Sequence, residues 1–307
     1  MTYIRRISLL LLLMLGAGFA SAQETEEPSD TTYWTRRARG NFTFTQVNLS
    51  NWVGGGSNSV ALNSNVGFFA NYAKGRTTWQ NALEMAYGLV DQENSGLIKS
   101  DDKISFITKV GHRLSKDDGK LFWTALLDFR TQFANGFASP EDPTRISTFM
   151  APGYMVLSSG FEYVPNEQVS LTYGPLTGKM TFVLDDSLAA VGSYGVEAGE
   201  KVRAEFGSFL RLAYKNEIVE NVTYESKLEL FTNYLNNFGN IDVNWENIFL
   251  MQVNKWLAVN FIAHVIYDDD IDIEVIGDDG LPTGEVGPRL QFKQLFGVGV
   301  TYKVSNR

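Results

Sequence analysis

The sequence predicts an all-β chain: a closed antiparallel transmembrane β-barrel of about twelve strands, with long extracellular loops and short periplasmic turns. Three observations predict it. The strand-like stretches alternate apolar and polar residues, the connections between them alternate long and short, and an export signal precedes them all. In the stretch 222–234, Val222, Tyr224, Leu228, Leu230 and Tyr234 fall on one face. Thr223, Glu225, Lys227, Glu229 and Asn233 fall on the other. Strand side chains repeat every two residues, so one wall is greasy and the other wet. In an outer-membrane barrel the greasy wall meets lipid and the wet wall lines a polar lumen.

The signal comes first. Arg5 and Arg6 precede an apolar run over 7–19 and then Ala20-Ser21-Ala22. A basic segment, a short apolar core and an A-x-A site describe a secretory signal peptide over 1–22, cut before Gln23. The run falls short of the ~20 residues a spanning helix needs. The absence of Cys excludes a lipoprotein anchor, disulfides, a thiolate metal site and a Cys nucleophile. No later stretch is long and uncharged enough for a helical inner-membrane protein. Removing the signal takes away two Arg and no acids, so the net charge of −9 becomes −11. That balance excludes nucleic acid as a partner, because binding it needs clustered Lys and Arg. The expected partners are outer-membrane lipid and small polar solutes, with no cofactor and no metal. The expected organisation is a signal over 1–22, a flexible periplasmic lead-in over 23–39 and one barrel domain over 40–307.

The strands follow in order. The first, 40–49, puts Phe42 and Phe44 on one face; the second, 59–72, does so with Val60, Leu62, Val66, Phe68 and Tyr72. The third, 77–90, carries Trp79, Leu83, Met85, Tyr87 and Leu89, and the fourth, 103–114, carries Ile104, Phe106, Val110 and Leu114. In the fifth, 121–133, Trp123, Leu127, Phe129 and Phe133 alternate with Asp128, Arg130 and Gln132. The sixth and seventh are 154–164 and 169–184, the latter broken near Pro175 and Gly178 as a bulge would break it. The last five are 202–214, 222–234, 241–253, 256–267 and 290–304. Twelve is an even number, as bacterial single-chain barrels require.

The connections argue for orientation. Long polar segments at 51–58, 91–102, 134–153, 185–201 and 268–289 alternate with tight links after the even-numbered strands. Only the ninth strand's link, 236–240, breaks the pattern. Long loops at one end and turns at the other place both termini in the periplasm. Tyr224 and Tyr234 are ten residues apart, about 33 Å along a strand, which a tilt of roughly 40° reduces to about 25 Å, the spacing of two aromatic girdles. A secreted β-sandwich would also alternate, but with strands of five or six residues and loops not sorted by length.

Several local motifs resemble one known family. They are Asn41-Phe42, Gln46, Leu49-Ser50-Asn51-Trp52 before Gly54-Gly55-Gly56, Asn71-Tyr72, Trp79-Gln80-Asn81, Tyr87-Gly88, Ser100-Asp101-Asp102-Lys103, Asp128-Phe129-Arg130-Thr131-Gln132-Phe133, Ala151-Pro152-Gly153-Tyr154 and Pro175-Leu176-Thr177-Gly178-Lys179. From about Trp34 onward the chain resembles an uncharacterised Bacteroidota family of outer-membrane barrels, a domain of unknown function. The resemblance implies fold and location. It brings no catalytic or binding residues.

Candidate functional residues lie on the wet face. The eighth strand points Arg203, Glu205 and Arg211 inward, and the ninth points Glu225, Lys227 and Glu229. Asp242 and Glu246 come from the tenth, Asp128 and Arg130 from the fifth, Lys103, Lys109 and Arg113 from the fourth, and Lys293 from the twelfth. The leading expectation is a non-enzymatic barrel that passes small polar solutes passively, with these residues ringing the pore and selecting by charge; the alternative is a closed structural or surface-interaction barrel in which they pair across the lumen and fill it. Beyond the eleventh strand, Asp268, Asp270, Asp272 and Glu274 share a face and suggest an acidic wall over the mouth. That segment is no EF-hand, since Val275 stands where the turn Gly belongs and Leu281 where the bidentate Glu belongs. His112 is expected to face outward and His264 inward, too far apart for a zinc site. An outer-membrane lipid hydrolase using His112 at the lipid face is the remotest expectation, since the sequence holds no G-x-S-x-G elbow. Gly54-Gly55-Gly56 lacks the Lys-Ser/Thr of a phosphate loop. Gly297 and Gly299 alternate with Val298 and Val300 as a strand wall facing a crowded lumen.

Overall fold

The structure is a computed structural model that describes residues 33–47, 59–92, 96–115, 119–137, 142–276 and 282–305. The expected signal peptide, residues 23–32 of the lead-in and the first long loop at 51–58 lie outside the described residues. In chain order the strands are β1 (Trp34–Val47), β2 (Ser59–Lys74), β3 (Thr77–Gln92), β4 (Gly96–Arg113), β5 (Leu121–Thr131), β6 (Gly136–Phe137), β7 (Arg145–Ser147), β8 (Gly153–Asn166) and β9 (Val169–Phe182). They continue with β10 (Val202–Val219), β11 (Val222–Asn233), β12 (Asp242–Gln252), β13 (Leu257–Tyr267), β14 (Asp272–Ile276), β15 (Pro282–Pro288) and β16 (Gln291–Ser305). β6 with β7 and β14 with β15 form separate hairpins, and the remaining strands close one antiparallel barrel.

Each barrel strand pairs with its predecessor in the wall, and β1 closes the ring on β16 from Arg37↔Ser305 to Thr43↔Gly299. Closure lets the wall strands pair with one another instead of with water, as hydrocarbon demands. The side-chain distribution is the reverse of a soluble core. Phe42, Phe68, Trp123, Phe161 and Phe296 are exposed, whereas Thr43, Thr124, Asp128, Glu162, Glu229 and Thr301 are buried. The greasy face therefore packs against no second sheet, and the sandwich alternative fails. Aromatic rings collect at two heights. Trp34 meets Tyr72 and Trp79 at 5.3 and 5.5 Å, and Tyr224 stacks on Phe249 at 4.5 Å, near the tight turns. Tyr87 meets Phe133, and Phe206 meets Tyr234, near the long loops. The chain is an outer-membrane β-barrel.

The expected strands are present, with their ends moved. β1 starts at Trp34 rather than at residue 40, because Trp34 belongs to the girdle and its backbone still pairs with Tyr72. β3 and β4 run on to Gln92 and Gly96, so most of the expected loop 91–102 is ladder. Lys99 explains the extension: its ammonium binds Asp102, Gln132, the Ala134 carbonyl and Ser147, all between 2.9 and 3.2 Å. β10 likewise continues to Val219, shortening the expected link after it. The bulge in β9 lies where Pro175 predicts it. Thr177 pairs with Gly207, yet Gly174 pairs with Phe209, so β9 holds one residue more than its neighbour. Proline has no N–H for the ladder, and a bulge accommodates it.

The long connections at the loop end are folded. Residues 186–190 form a short helix, α1 (Asp186–Ala190), followed by a 3-10 turn at Ser193–Gly195. Asp185 caps α1 by accepting from the Ser187 and Leu188 amides at 3.0 and 3.2 Å. Ala151, Val183, Leu188, Ala189 and Val196 are buried together, with Tyr194 packed against them. They form a small apolar core outside the barrel wall.

Candidate functional site

Three layers of side chains cross the lumen between the turn end and the loop end. Nearest the turns is a cup of about 540 Å3 whose lining reaches the turn residues Asn166 and Gln168. Its charged groups lie mostly in pairs. Lys109 meets Glu162 at 2.5 Å, Arg39 meets Glu84 at 3.3 Å, and Lys215 binds Glu225. Lys227 stands opposite Glu246 in the ladder, and Lys103 reaches Glu246 from across the barrel at 3.7 Å.

Above the cup lies a closed ring of four charges. Arg130 of β5 binds Asp128 at 2.6 Å and Glu229 of β11 at 2.7 Å. Arg211 of β10 binds the same carboxylates at 2.5 and 2.6 Å. Two cations and two anions leave no net charge, and each guanidinium bridges both carboxylates. Asn244 donates to Glu229 at 3.2 Å, and the His264 ring nitrogen lies 2.7 Å from the Asn244 carbonyl oxygen. Beside the ring Leu126, Phe209 and Phe231 are buried against one another, with Ile107 alongside. These residues share the inward register with Asp128, Arg211 and Glu229, so at this height the lumen is partly apolar. Removing water there strengthens the ion pairs, at a desolvation cost that the second partner of each group offsets.

The third layer lies at the mouth. Lys179 of β9 meets Asp242, Asp268 and Glu205 at 2.5, 3.0 and 3.6 Å. Arg203 meets Glu205, Asp268 and Asp270 at 3.1, 3.7 and 3.5 Å. Two cations face four carboxylates, so this layer is acidic. Arg203 also donates to the Gly195 carbonyl at 3.1 Å and thereby fastens the folded loops over the mouth. Gly195 has φ +77°, and a Cβ there would stand 2.3 Å from the Arg203 guanidinium and 2.6 Å from the Asp270 carbonyl oxygen. Two more bonds hold the loops together: Arg145 binds Asp185, and the Tyr194 hydroxyl donates to the Ile146 carbonyl. Residues 145–152 and 183–201 form a lid.

The sequence-predicted residues thus fall into distinct places. Asp128, Arg130, Arg211 and Glu229 come together in the ring, and Arg203, Glu205 and Asp242 meet at the mouth. Glu225, Lys227 and Glu246 line the cup, and Lys293 crosses to Asp101 at 2.6 Å. The four acids expected as one wall separate. Asp268 and Asp270 turn onto Lys179 and Arg203, because β13 ends at Tyr267 and the chain bends there. Asp272 opens β14 in its own hairpin, and Glu274 lies in the same strand with its side chain outside the described residues. Sequence reasoning missed Lys179, the hub of the mouth. The signal was present: Thr177, Lys179 and Thr181 alternate with apolar or small neighbours, but the β9 bulge shifts the register that would have placed them. His112 faces outward, 3.3 Å from the Thr77 hydroxyl. Gly297 sits where a Cβ would come within 2.6 Å of Thr43.

Residues 44–137 match the profile of a family described as "Protein of unknown function (DUF3078)". No curated protein matches the sequence. Solved structures similar to this chain include the COG4313 outer membrane channel from Pseudomonas putida F1, at 11% identity and a TM-score of 0.40 over 92% of this chain and 100% of that one. The translocator domain of the autotransporter NalP from Neisseria meningitidis is similar at 12% identity and a TM-score of 0.35, over 89% of each chain. A Pseudomonas aeruginosa FadL homologue follows at 9% identity and a TM-score of 0.29, over 88% of this chain and 89% of that one.

Proposed function

We propose that this is a non-enzymatic outer-membrane barrel held shut, with an ion-paired lumen and a folded lid as its exposed working surface. The carrying observation is the ring of Asp128, Arg130, Arg211 and Glu229, in which β5 reaches across to β10 and β11. A pore lined by selective charges leaves those charges hydrated and pointing at passing solute. Here the ring's charges are consumed by one another. Single-channel recording in a planar bilayer tests the reading: the folded wild type carries no steady current, and Arg130→Ala with Arg211→Ala raises it. Steady wild-type conductance overturns it. Hydrolysis of phospholipid by the folded protein would overturn the non-enzymatic part.

The cup favours a second reading, a channel for small polar solutes whose ring and lid act as a gate. It is large enough for a small solute and reaches the turn end of the barrel. Under this reading a solute enters from the turn end, and brief openings appear in the same recording when the solute is added on that side.

A further inference from the structure

The wall ladder parts at one seam. β1 pairs with β2 along its whole length, but with β16 only from Arg37 to Thr43. Above the pair Thr43↔Gly299, towards the loop end, each strand keeps only its other neighbour among the described residues. Phe44 to Val47 pair with β2 alone, and Leu295 to Val298 pair with β13 alone. Four residue steps without a ladder open a wedge about 13 Å long. Its apex is tight, since a Cβ on Gly297 would stand 2.6 Å from the Thr43 side chain.

An open sheet edge against lipid strands its N–H and C=O groups, and such edges persist only where polar groups meet them. This wedge is polar within and apolar outside. Asn63, opposite Thr43 on β2, accepts from Ser100 at 3.4 Å, and Lys293 crosses behind the wedge to Asp101 at 2.6 Å. Phe44, Phe292, Phe296 and Val298 are exposed on the lipid side. Gln46 and Gln294 share that outward register above the last ladder pair. Both are exposed, and neither is hydrogen-bonded among the described residues.

We infer that the wedge binds, from the side, the head of a glycolipid in the leaflet at the loop end. The acyl chain stays in the bilayer against the Phe44, Phe292 and Phe296 rings. The class of head follows from the lips: strand edges and glutamine amides offer both donors and acceptors. Sugar hydroxyls donate and accept in kind, whereas a phosphocholine head only accepts. The occupant is lipid rather than a second copy of the chain because the wedge is continuous with the lipid-facing wall. A barrel shut along its axis is still open here to the side.

Native mass spectrometry of the full folded chain tests this, with dodecyl maltoside and dodecylphosphocholine as probes of equal chain length. The wild type should retain one maltoside about tenfold more tightly than the phosphocholine. Gln46→Leu with Gln294→Leu should weaken the maltoside alone. The chain has no cysteine, so Phe44→Cys with Val298→Cys zips the wedge on oxidation and reopens it on reduction within one protein. The maltoside should leave on oxidation and return on reduction. A pair held too far apart to oxidise agrees with a parted seam, and the glutamine variant then decides. Equal retention of the two probes, an unchanged preference in the glutamine variant, or retention indifferent to oxidation overturns the proposal. A dimer joined edge to edge through β16 that excludes both probes also overturns it.

Discussion

At the scale of single residues, the ring in the lumen sets the energetics. Asp128 and Glu229 are each less than a tenth exposed, and each is held by the same two guanidinium groups. Removing one partner leaves a buried charge without compensation. We expect Arg211→Ala to cost about 3–5 kcal/mol, measured as a fall in the urea midpoint of the barrel in lipid. Replacing all four together, with Arg130→Met, Arg211→Met, Asp128→Asn and Glu229→Gln, should cost far less, because no charge is then stranded. A quadruple variant as unstable as the single one would contradict this account. Those four residues were legible in the sequence, since each alternates with outward apolar neighbours in an unbroken register. Lys179 was not, because a bulge turns the period-two rule over within one strand. Leu126, Phe209 and Phe231 were hidden by the opposite error: apolar side chains on a wet face read as noise until the fold brings them together.

At the scale of elements, the lid depends on two small details. Gly195 holds a left-handed backbone, and no Cβ fits between it and Arg203. Gly195→Ala should therefore loosen the lid by about 1–2 kcal/mol, seen as faster protease cleavage within 183–201 while the barrel stays intact. Asp185 supplies the second. The Ser187 hydroxyl first, then the Leu188 amide and Arg145, hold its carboxyl below the ordinary value of 3.8. A depressed carboxyl stabilises the folded lid above the unfolded pKa, and the effect is lost as pH falls through the folded one. Pepsin cleavage of the lid should rise as pH drops from about 5 to about 2, and Asp185→Asn should flatten that rise. The loops were legible as long and polar. Their folding onto one another was not, because it rests on contacts between segments far apart in sequence, such as Arg145 with Asp185 and Tyr194 with Ile146, 40 and 48 residues apart.

At the scale of the whole molecule, the proposed closed state makes the ring and the lid barriers in series. Deleting 186–200 removes contacts that lie outside the barrel ladder, so the shortened protein should still migrate as a folded barrel until boiled. Its conductance should stay low, because the ring remains; current should need loss of both. A lid deletion that conducts freely would place the barrier at the mouth alone. Alternation, loop lengths and the aromatic spacing determined from sequence that this chain is a twelve-stranded outer-membrane barrel, because a wall between lipid and water imposes its period on every strand separately. How the charges of the wet face pair across the lumen is visible only in the tertiary structure. A strand records which way its charges point, but the partner across a lumen sits on a strand a hundred residues away, and only closure of the ring brings the two within hydrogen-bonding distance.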